Sequence, residues 1–397
     1  MNLLGWVIFL LALTFSVTLH EAGHFVMAKK FGMKATRFFV GFGPTVWSTW
    51  RGETEYGVKA LPFGGFVKII GMHSLDDPDD PEDEPRSFRQ QPGWQRIIVL
   101  CAGSFMHFVL AFVLVAGLVL TIGIENDNTT QLGTIATCVA PTVADLNNQT
   151  CGSSKQPSPA VLAGLRVGDT ITSFNGKPVS NWTQLSNAIK GAAPGSAVTM
   201  TVLRDDHTLT LRTKAAKVRG RSGGYIGIVP TTAFQVASPL GAVTYAGSFF
   251  GQQLSGTART IGALPSSIPK LFNKSQSATN GQVTSMVGVA EVTGQAVAAD
   301  VGWRIKVEFI VLLIAAINIF VGVFNLLPLL PLDGGHVAAI VWERIRAWFA
   351  RLRGRPDPGL VDMRKLVPVM FSIFMILVFF GVLVMLANII NPVSLGQ

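Results

Sequence analysis

The sequence predicts a polytopic α-helical membrane protein with four transmembrane helices, a membrane-associated β-sheet after the first span, and an extracytoplasmic soluble domain between the second and third spans. Three observations lead there. Of 397 residues, 49% are hydrophobic and only 14% charged, at a mean hydropathy of +0.43, a balance typical of bilayer-embedded chains. Four apolar runs are each long enough to cross a hydrocarbon core, which takes about 20 residues. The basic residues gather beside those runs, so the net charge of +9 reads as positive-inside orientation and gives no sign of a nucleic-acid partner.

Residues 1–30 are expected as the first transmembrane helix. The first 19 carry no charged side chain, and apolar sequence resumes at Phe25-Val26-Met27 before stopping at Lys29-Lys30. A cleaved signal peptide is the competing reading, but the sequence has neither a basic leading region nor a small-x-small cleavage site before His20, so a retained span is expected. Inside the run stand His20, Glu21 and His24. Residues four apart on a helix share a face, so two imidazoles at this spacing can grip one zinc ion while the adjacent glutamate works on water. His20 lies nine positions before Lys29, which puts it on the order of 13 Å inside that end of the helix. Ionisable groups so deep are costly and mark function; the plainer alternative is three polar side chains paired against a neighbouring span.

Residues 31–96 are expected on the cytoplasmic side, marked by Lys29, Lys30, Lys34 and Arg37. Aromatic and β-branched residues with Gly-Pro and Gly-Gly punctuation predict strands over 36–72, in a sheet that dips into the membrane or forms a small cytoplasmic β-domain. Such a sheet edge can hold an extended peptide by strand addition. The acidic, proline-rich run at 75–85 reads as a solvated mobile loop and lacks the spacing of a calcium-binding EF-hand.

Residues 97–123 are the second expected span, with His107 inside it, a side chain more simply satisfied by a neighbouring helix than by metal. Residues 124–232 are soluble in character. There Gly164 to Gly176 predicts turn, strand and an Asn175-Gly176 hairpin; a helix bearing Trp182, Leu185, Ala188 and Ile189 follows, then alternating strands through Val198, Met200, Val202 and Leu209, Leu211. This order is similar to a PDZ domain, a fold that takes extended peptides at a sheet edge. Cys138 and Cys151 lie in this outer segment, where they are free to pair, whereas Cys101 reads as a core thiol. Residues 233–303 are expected as amphipathic helices at the outer interface. A third transmembrane region spans 304–342, a basic cytoplasmic loop 343–365, and the fourth transmembrane helix 366–397. Both chain ends then face outward from the cell membrane.

Catalytic zinc usually keeps three protein ligands. Asp333 is the only carboxylate in the apolar interval between Glu308 and Glu343, and its distance from the basic end of its span matches that of His20. Pro328, Pro331 and Gly334-Gly335 predict a broken helix there, tolerated in a membrane where it lines a wet cavity. His336 is the alternative third ligand.

With these residues assembled, the chain resembles the site-2 protease family, zinc metalloproteases that cut within the membrane. The matching features are His20-Glu21-Ala22-Gly23-His24, Asn325-Leu326-Leu327-Pro328 leading to Leu332-Asp333-Gly334, Pro62-Phe63-Gly64-Gly65-Phe66-Val67, and a PDZ domain between spans two and three. The resemblance covers nearly the whole chain and is greatest to the bacterial four-span branch that cleaves anti-sigma factors after another protease has trimmed them. It implies Zn2+ on His20, His24 and Asp333, Glu21 as acid/base, and Asn325 holding substrate backbone. It further implies a membrane-associated sheet around Phe63, a PDZ that excludes untrimmed substrates, and single-span transmembrane proteins of envelope-stress signalling as partners in the lipid bilayer. One departure is visible at Gly103-Ser104-Phe105-Met106-His107, where relatives usually carry proline after the glycine and asparagine at position 107. A catalytically inactive PDZ scaffold and a zinc carrier are the readings from other classes; neither gives a role to a carboxylate directly after the first histidine.

Overall fold

Helix α1 (Leu3–Lys30) runs unbroken because it contains no proline, and Lys29 and Lys30 in its last turn complement the carbonyl end of the helix dipole. The computed structural model describes residues 3–72, 80–126, 128–142, 151, 156–220, 222–267, 286–298 and 301–390. These fall into two compact units, one of residues 1–120 with 238–396 and one of 121–237.

In the first unit, α1 leads into two long strands, β1 (Ala35–Arg51) and β2 (Thr54–Ile69). Their register is unusual. Val40 pairs with Gly65 on one side and Val58 on the other, while Thr49 pairs with Tyr56. Both strands therefore bend, and the sheet has four segments in the order 45–51, 54–59, 35–40, 65–69, with 65–69 at one edge. Val67 and Ile69 of that edge pack with Ala28, Met33, Val99, Leu100 and Ile340 in one buried cluster, which fixes the sheet against the helices. At the hairpin turn, Glu53 accepts hydrogen bonds from Lys29 at 2.5 Å and from Arg86 at 2.7 and 2.9 Å. The Arg86 guanidinium, outweighing partial burial and aided by Lys29, holds the Glu53 carboxyl down at about 2.

Residues 73–79, the first part of the acidic run, lie outside the described residues. The remainder departs from the expected free loop. It forms a short 3-10 turn (Pro81–Arg86) capped by the Asp80 carboxylate on the Glu82 amide, with Glu84 bonded to Arg89 and Asp83 paired to Lys34. Basic neighbours neutralise the charges that would otherwise have kept it open.

Helix α2 is Gly93–Thr121. The second unit then intervenes, and the first resumes at 238. Among the described residues, four helices are long and apolar enough to cross a membrane: α1, α2, Trp303–Asn325, and the final helix over Lys365–Leu386.

The second unit contains β3 (Ile124–Asn126), β4 (Leu132–Ile135), α3 (Pro159–Leu162), β5 (Thr170–Phe174), β6 (Lys177–Pro178), α4 (Trp182–Gly191), β7 (Ala197–Arg204), β8 (His207–Lys214), β9 (Ile228–Pro230) and β10 (Ala233–Gln235). A sheet ordered β6-β5-β7-β8 and the pairs β4–β9 and β3–β10 surround a core of Leu132, Ile171, Phe174, Leu185, Met200, Val202 and Ile226. The hairpin at Asn175-Gly176 takes φ of 49° and 76°, the left-handed pair a two-residue turn needs. Asp169 is buried and receives both Arg204 Nε and Nη2 at 2.7 Å. Burial works to raise its carboxyl, but Arg204 and the Arg166 amide outweigh it and hold the group below the usual range. Cys138 and Cys151 form a disulfide with Cα atoms 5.8 Å apart.

Returning to the first unit, α5 (Pro239–Ser267) and α6 (Met286–Ala298) occupy the segment expected to lie at the interface. For α6 that expectation is corrected: Ala290, Thr293 and Ala296 are buried, and the backbone at Gly294 lies against Gly5 of α1. Small residues let the two backbones approach, so α6 joins the bundle. A second correction concerns residues 304–365. Helix α7 (Trp303–Asn325) ends before the Asp333 motif, and a new helix, α8 (Asp333–Leu352), starts at Asp333 itself and carries on through part of the expected basic loop. Pro328 and Pro331 have no amide to donate, so the chain breaks between the two helices. Gly334 is what allows the break to fold back: a side chain there would collide with the carbonyls of Leu326 and Leu327. Helix α9 (Met363–Ile390) ends the described chain.

Candidate metal centre

The i, i+4 spacing on α1 points His20 and His24 toward α2, and α2 meets them with a glycine. A Cβ on Gly103 would sit within 2.7 Å of both imidazole rings. Only a glycine lets α2 come this close. Both histidines are buried, at 7% and 3% exposure, so neither is satisfied by bulk water.

The start of α8 brings the third group. Asp333 Oδ2 stands 3.3 Å from His20 Nε2 and 3.5 Å from His24 Nε2, and the two Nε2 atoms are 3.0 Å apart. A tetrahedral zinc with bonds of 2.0–2.1 Å separates its ligand atoms by about 3.3 Å. The triangle therefore has about the size a shared cation requires, and its two sides to Asp333 are long for hydrogen bonds. The tautomer fits as well. His24 Nδ1 lies 2.7 Å from the Val99 carbonyl, which can only accept, so Nδ1 carries the proton and Nε2 offers its lone pair to the centre. His20 Nδ1 is a buried atom without a hydrogen-bond partner. Among the described residues, this is the one cluster of three or more His, Cys, Asp or Glu side chains that converges closely enough to hold a metal. His336 and His107, the other ligand candidates, are not part of it.

Glu21 projects beside the triangle toward the sheet. Its Oε2 accepts the Val67 amide at 3.1 Å, from the edge segment 65–69 of β2. That bond occupies one oxygen and leaves the other for proton transfer. Asn325 is the last residue of α7 and half-buried.

His107 has a different task from metal binding. Its Nδ1 lies 2.8 Å from Asn318 Oδ1 and 3.0 Å from Ser16 Oγ, and Ser16 also bonds Asn318. Asn318 Nδ2 donates to the Ile314 carbonyl, which fixes the amide orientation and makes Oδ1 the acceptor from His107. Ser16 is one turn before His20, and the His107 ring centroid is 5.0 Å from that of His20. This buried polar layer under the triangle went unread in the sequence. Ser16 and Asn318, polar residues in otherwise apolar runs, were its signal.

Comparison with known proteins agrees with this chemistry. The model of peptidase family M50 matches residues 8–355. The chain is 34% identical to zinc metalloprotease Rip1 of Mycobacterium bovis, over 99% of each chain. It is likewise 34% identical to the Rip1 of Mycolicibacterium smegmatis, again over 99% of each. Of solved structures, the PDZ domain of the SdrC-like protein from Listeria monocytogenes aligns at 20% identity over 26% of this chain and 90% of that one, with a TM-score of 0.19.

Proposed function

This chain belongs to peptidase family M50 and is a zinc metalloprotease of membranes, and from that premise we propose that it hydrolyses peptide bonds inside the transmembrane segments of single-span proteins. In this reading His20, His24 and Asp333 hold the zinc ion, Glu21 is the acid/base and Asn325 contacts substrate backbone. The observation that carries the reading is the convergence of three ligand atoms from α1 and α8 with a carboxylate that the sheet edge holds beside them.

Zinc bound there supplies a Lewis acid that lowers the pKa of water to about 7 and polarises the scissile carbonyl. The protein's residues do the rest. Glu21, steadied through Oε2 by the Val67 amide, takes the proton of the attacking water on its other oxygen and delivers it to the departing amine as the C–N bond breaks. The Val99 carbonyl keeps His24 in the tautomer that presents Nε2. A transmembrane helix hides its peptide groups in its own hydrogen bonds, so substrate must unwind locally, and the 65–69 edge offers an extended segment a place to pair. Val46, Trp47, Trp50, Leu61 and Phe63 are exposed on this sheet, which supports a membrane-associated placement.

The substrates of this reading are anti-sigma factors and similar single-span regulators already trimmed by a first protease. The second unit, read as an extracytoplasmic PDZ domain, gates them by size, and both chain ends face outward. The β6-β5-β7-β8 sheet and helix α4 support the PDZ reading.

Replacing Glu21 by Gln tests the core of it. Cleavage of a single-span reporter in proteoliposomes is expected to fall by at least about 10²–10⁴-fold, with zinc per chain unchanged. Wild-type cleavage by the variant would remove Glu21 from the reaction and favour a scaffold or a zinc carrier.

A further inference from the structure

Far along α8 from Asp333, a second polar site stands apart from the metal centre. The C-terminal half of α8 and the loop after it frame an open groove of about 440 Å³, lined by Trp342, Arg346, Phe349, Arg353, Arg355 and Pro356 among others. That volume is in the range of small-molecule sites, about 300–1,000 Å³. Its walls are of two kinds. Trp342 and Phe349 are exposed aromatic faces, and nearby Ile345, Trp348 and Leu352 are exposed as well. Between them stand three guanidinium groups.

These cations lack the partners that other arginines of this unit have. Arg96 is paired to Glu343, Arg86 to Glu53 and Arg89 to Glu84. Arg346 donates Nη2 to the Gly359 carbonyl and has no carboxylate partner, and its Nε, like that of Arg96, is buried with no hydrogen-bond partner. Arg353 and Arg355 make no side-chain hydrogen bond or ion pair among the described residues. Of the carboxylates near these arginines in the chain, Glu343 accepts Arg96 and the Val361 amide, and Asp357 Oδ1 accepts the Gly359 amide. An unpaired buried N–H is costly, and a group with several acceptor oxygens would satisfy it.

We propose that this groove binds the phosphate of an anionic phospholipid, with Arg346, Arg353 and Arg355 on the phosphate and Trp342 and Phe349 against the glycerol and upper acyl chain. Two features select a lipid over a free anion. Trp342 and Phe349 put aromatic faces beside the arginines, a pairing found where proteins meet the headgroup layer, and the chain leaves this loop directly into α9, apolar enough to span a bilayer from Lys365. Guanidinium forks match phosphate oxygens in a way a single ammonium does not.

The test uses the full-length protein purified in detergent, titrated with phosphatidylglycerol or phosphatidylcholine and read by native mass spectrometry. Phosphatidylglycerol is expected to bind in clear preference to phosphatidylcholine. Each arginine near a headgroup contributes about fivefold, so the double variant Arg353→Gln, Arg355→Gln is expected to weaken phosphatidylglycerol binding by roughly 25-fold. Arg351→Gln, on the same helix but outside the lining, is expected to change it by less than about twofold. Equal binding of the two lipids by wild type overturns the proposal. So does an equal loss in the Arg351 variant, which would make the effect one of net charge. Displacement by glycerol 3-phosphate at concentrations matching the lipid would assign the groove to a free phosphate ester and overturn the lipid assignment.

Discussion

Two buried groups of ionisable side chains tie α8 to its neighbours, one to α2 and one to α1, and they are built to opposite ends. Arg96 of α2 meets Glu343 of α8 at 2.9 Å, and the other Glu343 oxygen takes the Val361 amide, so the carboxylate is satisfied on both oxygens. Ten residues earlier on α8, Asp333 faces His20 and His24 at 3.3 and 3.5 Å, with an imidazole nitrogen pair at 3.0 Å and one ring nitrogen left alone. In the first group a full positive charge meets a carboxylate satisfied on both oxygens, with Arg96 Nε left buried and unpartnered; the second brings three ligand atoms to the spacing of a shared cation. Convergence of three ligand atoms on one point, more than burial or a single unpartnered nitrogen, separates a binding centre from a clamp.

The largest expected effect breaks the second group. Asp333→Ala removes one corner of the triangle, and zinc per chain measured by atomic emission is expected to fall to a small fraction of wild type, with cleavage lost alongside. Full metal content in that variant would move the third ligand to His336 or His107. Gly103→Ala sharpens the same point without touching a ligand. Its methyl would meet both imidazoles, so zinc affinity is expected to drop by about 10–100-fold, the scale seen when the support of a metal site is lost. An unchanged affinity would mean that α2 can retreat freely from α1.

Breaking the clamp should do the converse. Glu343→Gln leaves Arg96 buried without its counter-charge, and uncompensated buried charges cost about 3–5 kcal/mol. The expected outcome is a lower thermal midpoint in detergent with zinc stoichiometry unchanged in the folded fraction. Loss of zinc at unchanged stability would show that the two groups are not separate.

The same contrast explains what was legible before any coordinates. His20, Glu21 and His24 declare themselves because their relation is local, one helical turn, and Asp333 stood out as the lone carboxylate in an apolar interval. What supports them is not local. The Val99 carbonyl and Val67 amide are backbone groups, which no residue type advertises, and they reach the site from α2 and from a sheet edge. Gly103 reads as one more small residue in a span until α1 is laid against it. Pro328 and Pro331 predict a break, but not that a fresh helix begins at Asp333, since that depends on Gly334 accepting the returning carbonyls. The sheet was legible as strands, whereas its segment order follows from bends that let residues 35–40 pair on both sides.

The smallest expected effect lies outside the helices, at the Glu53 cluster, an ion-paired group like the clamp but partly open to water. Arg86, aided by Lys29, holds the Glu53 carboxyl down at about 2 in the folded protein, below the ordinary glutamate value of about 4.5, because both cations favour its charged form. A depressed folded value means stabilisation that is fully present above about 4.5 and lost as pH falls from there toward 2. Such exposed pairs contribute about 1 kcal/mol or less. Thermal unfolding of wild type and Glu53→Gln should therefore differ slightly at pH 6, with the gap narrowing below about 4.5 and closing only near pH 2. A gap that instead widened on acidification would mean that protonated Glu53 carries the stabilisation, and the likeness between this cluster and the Arg96–Glu343 clamp would fail.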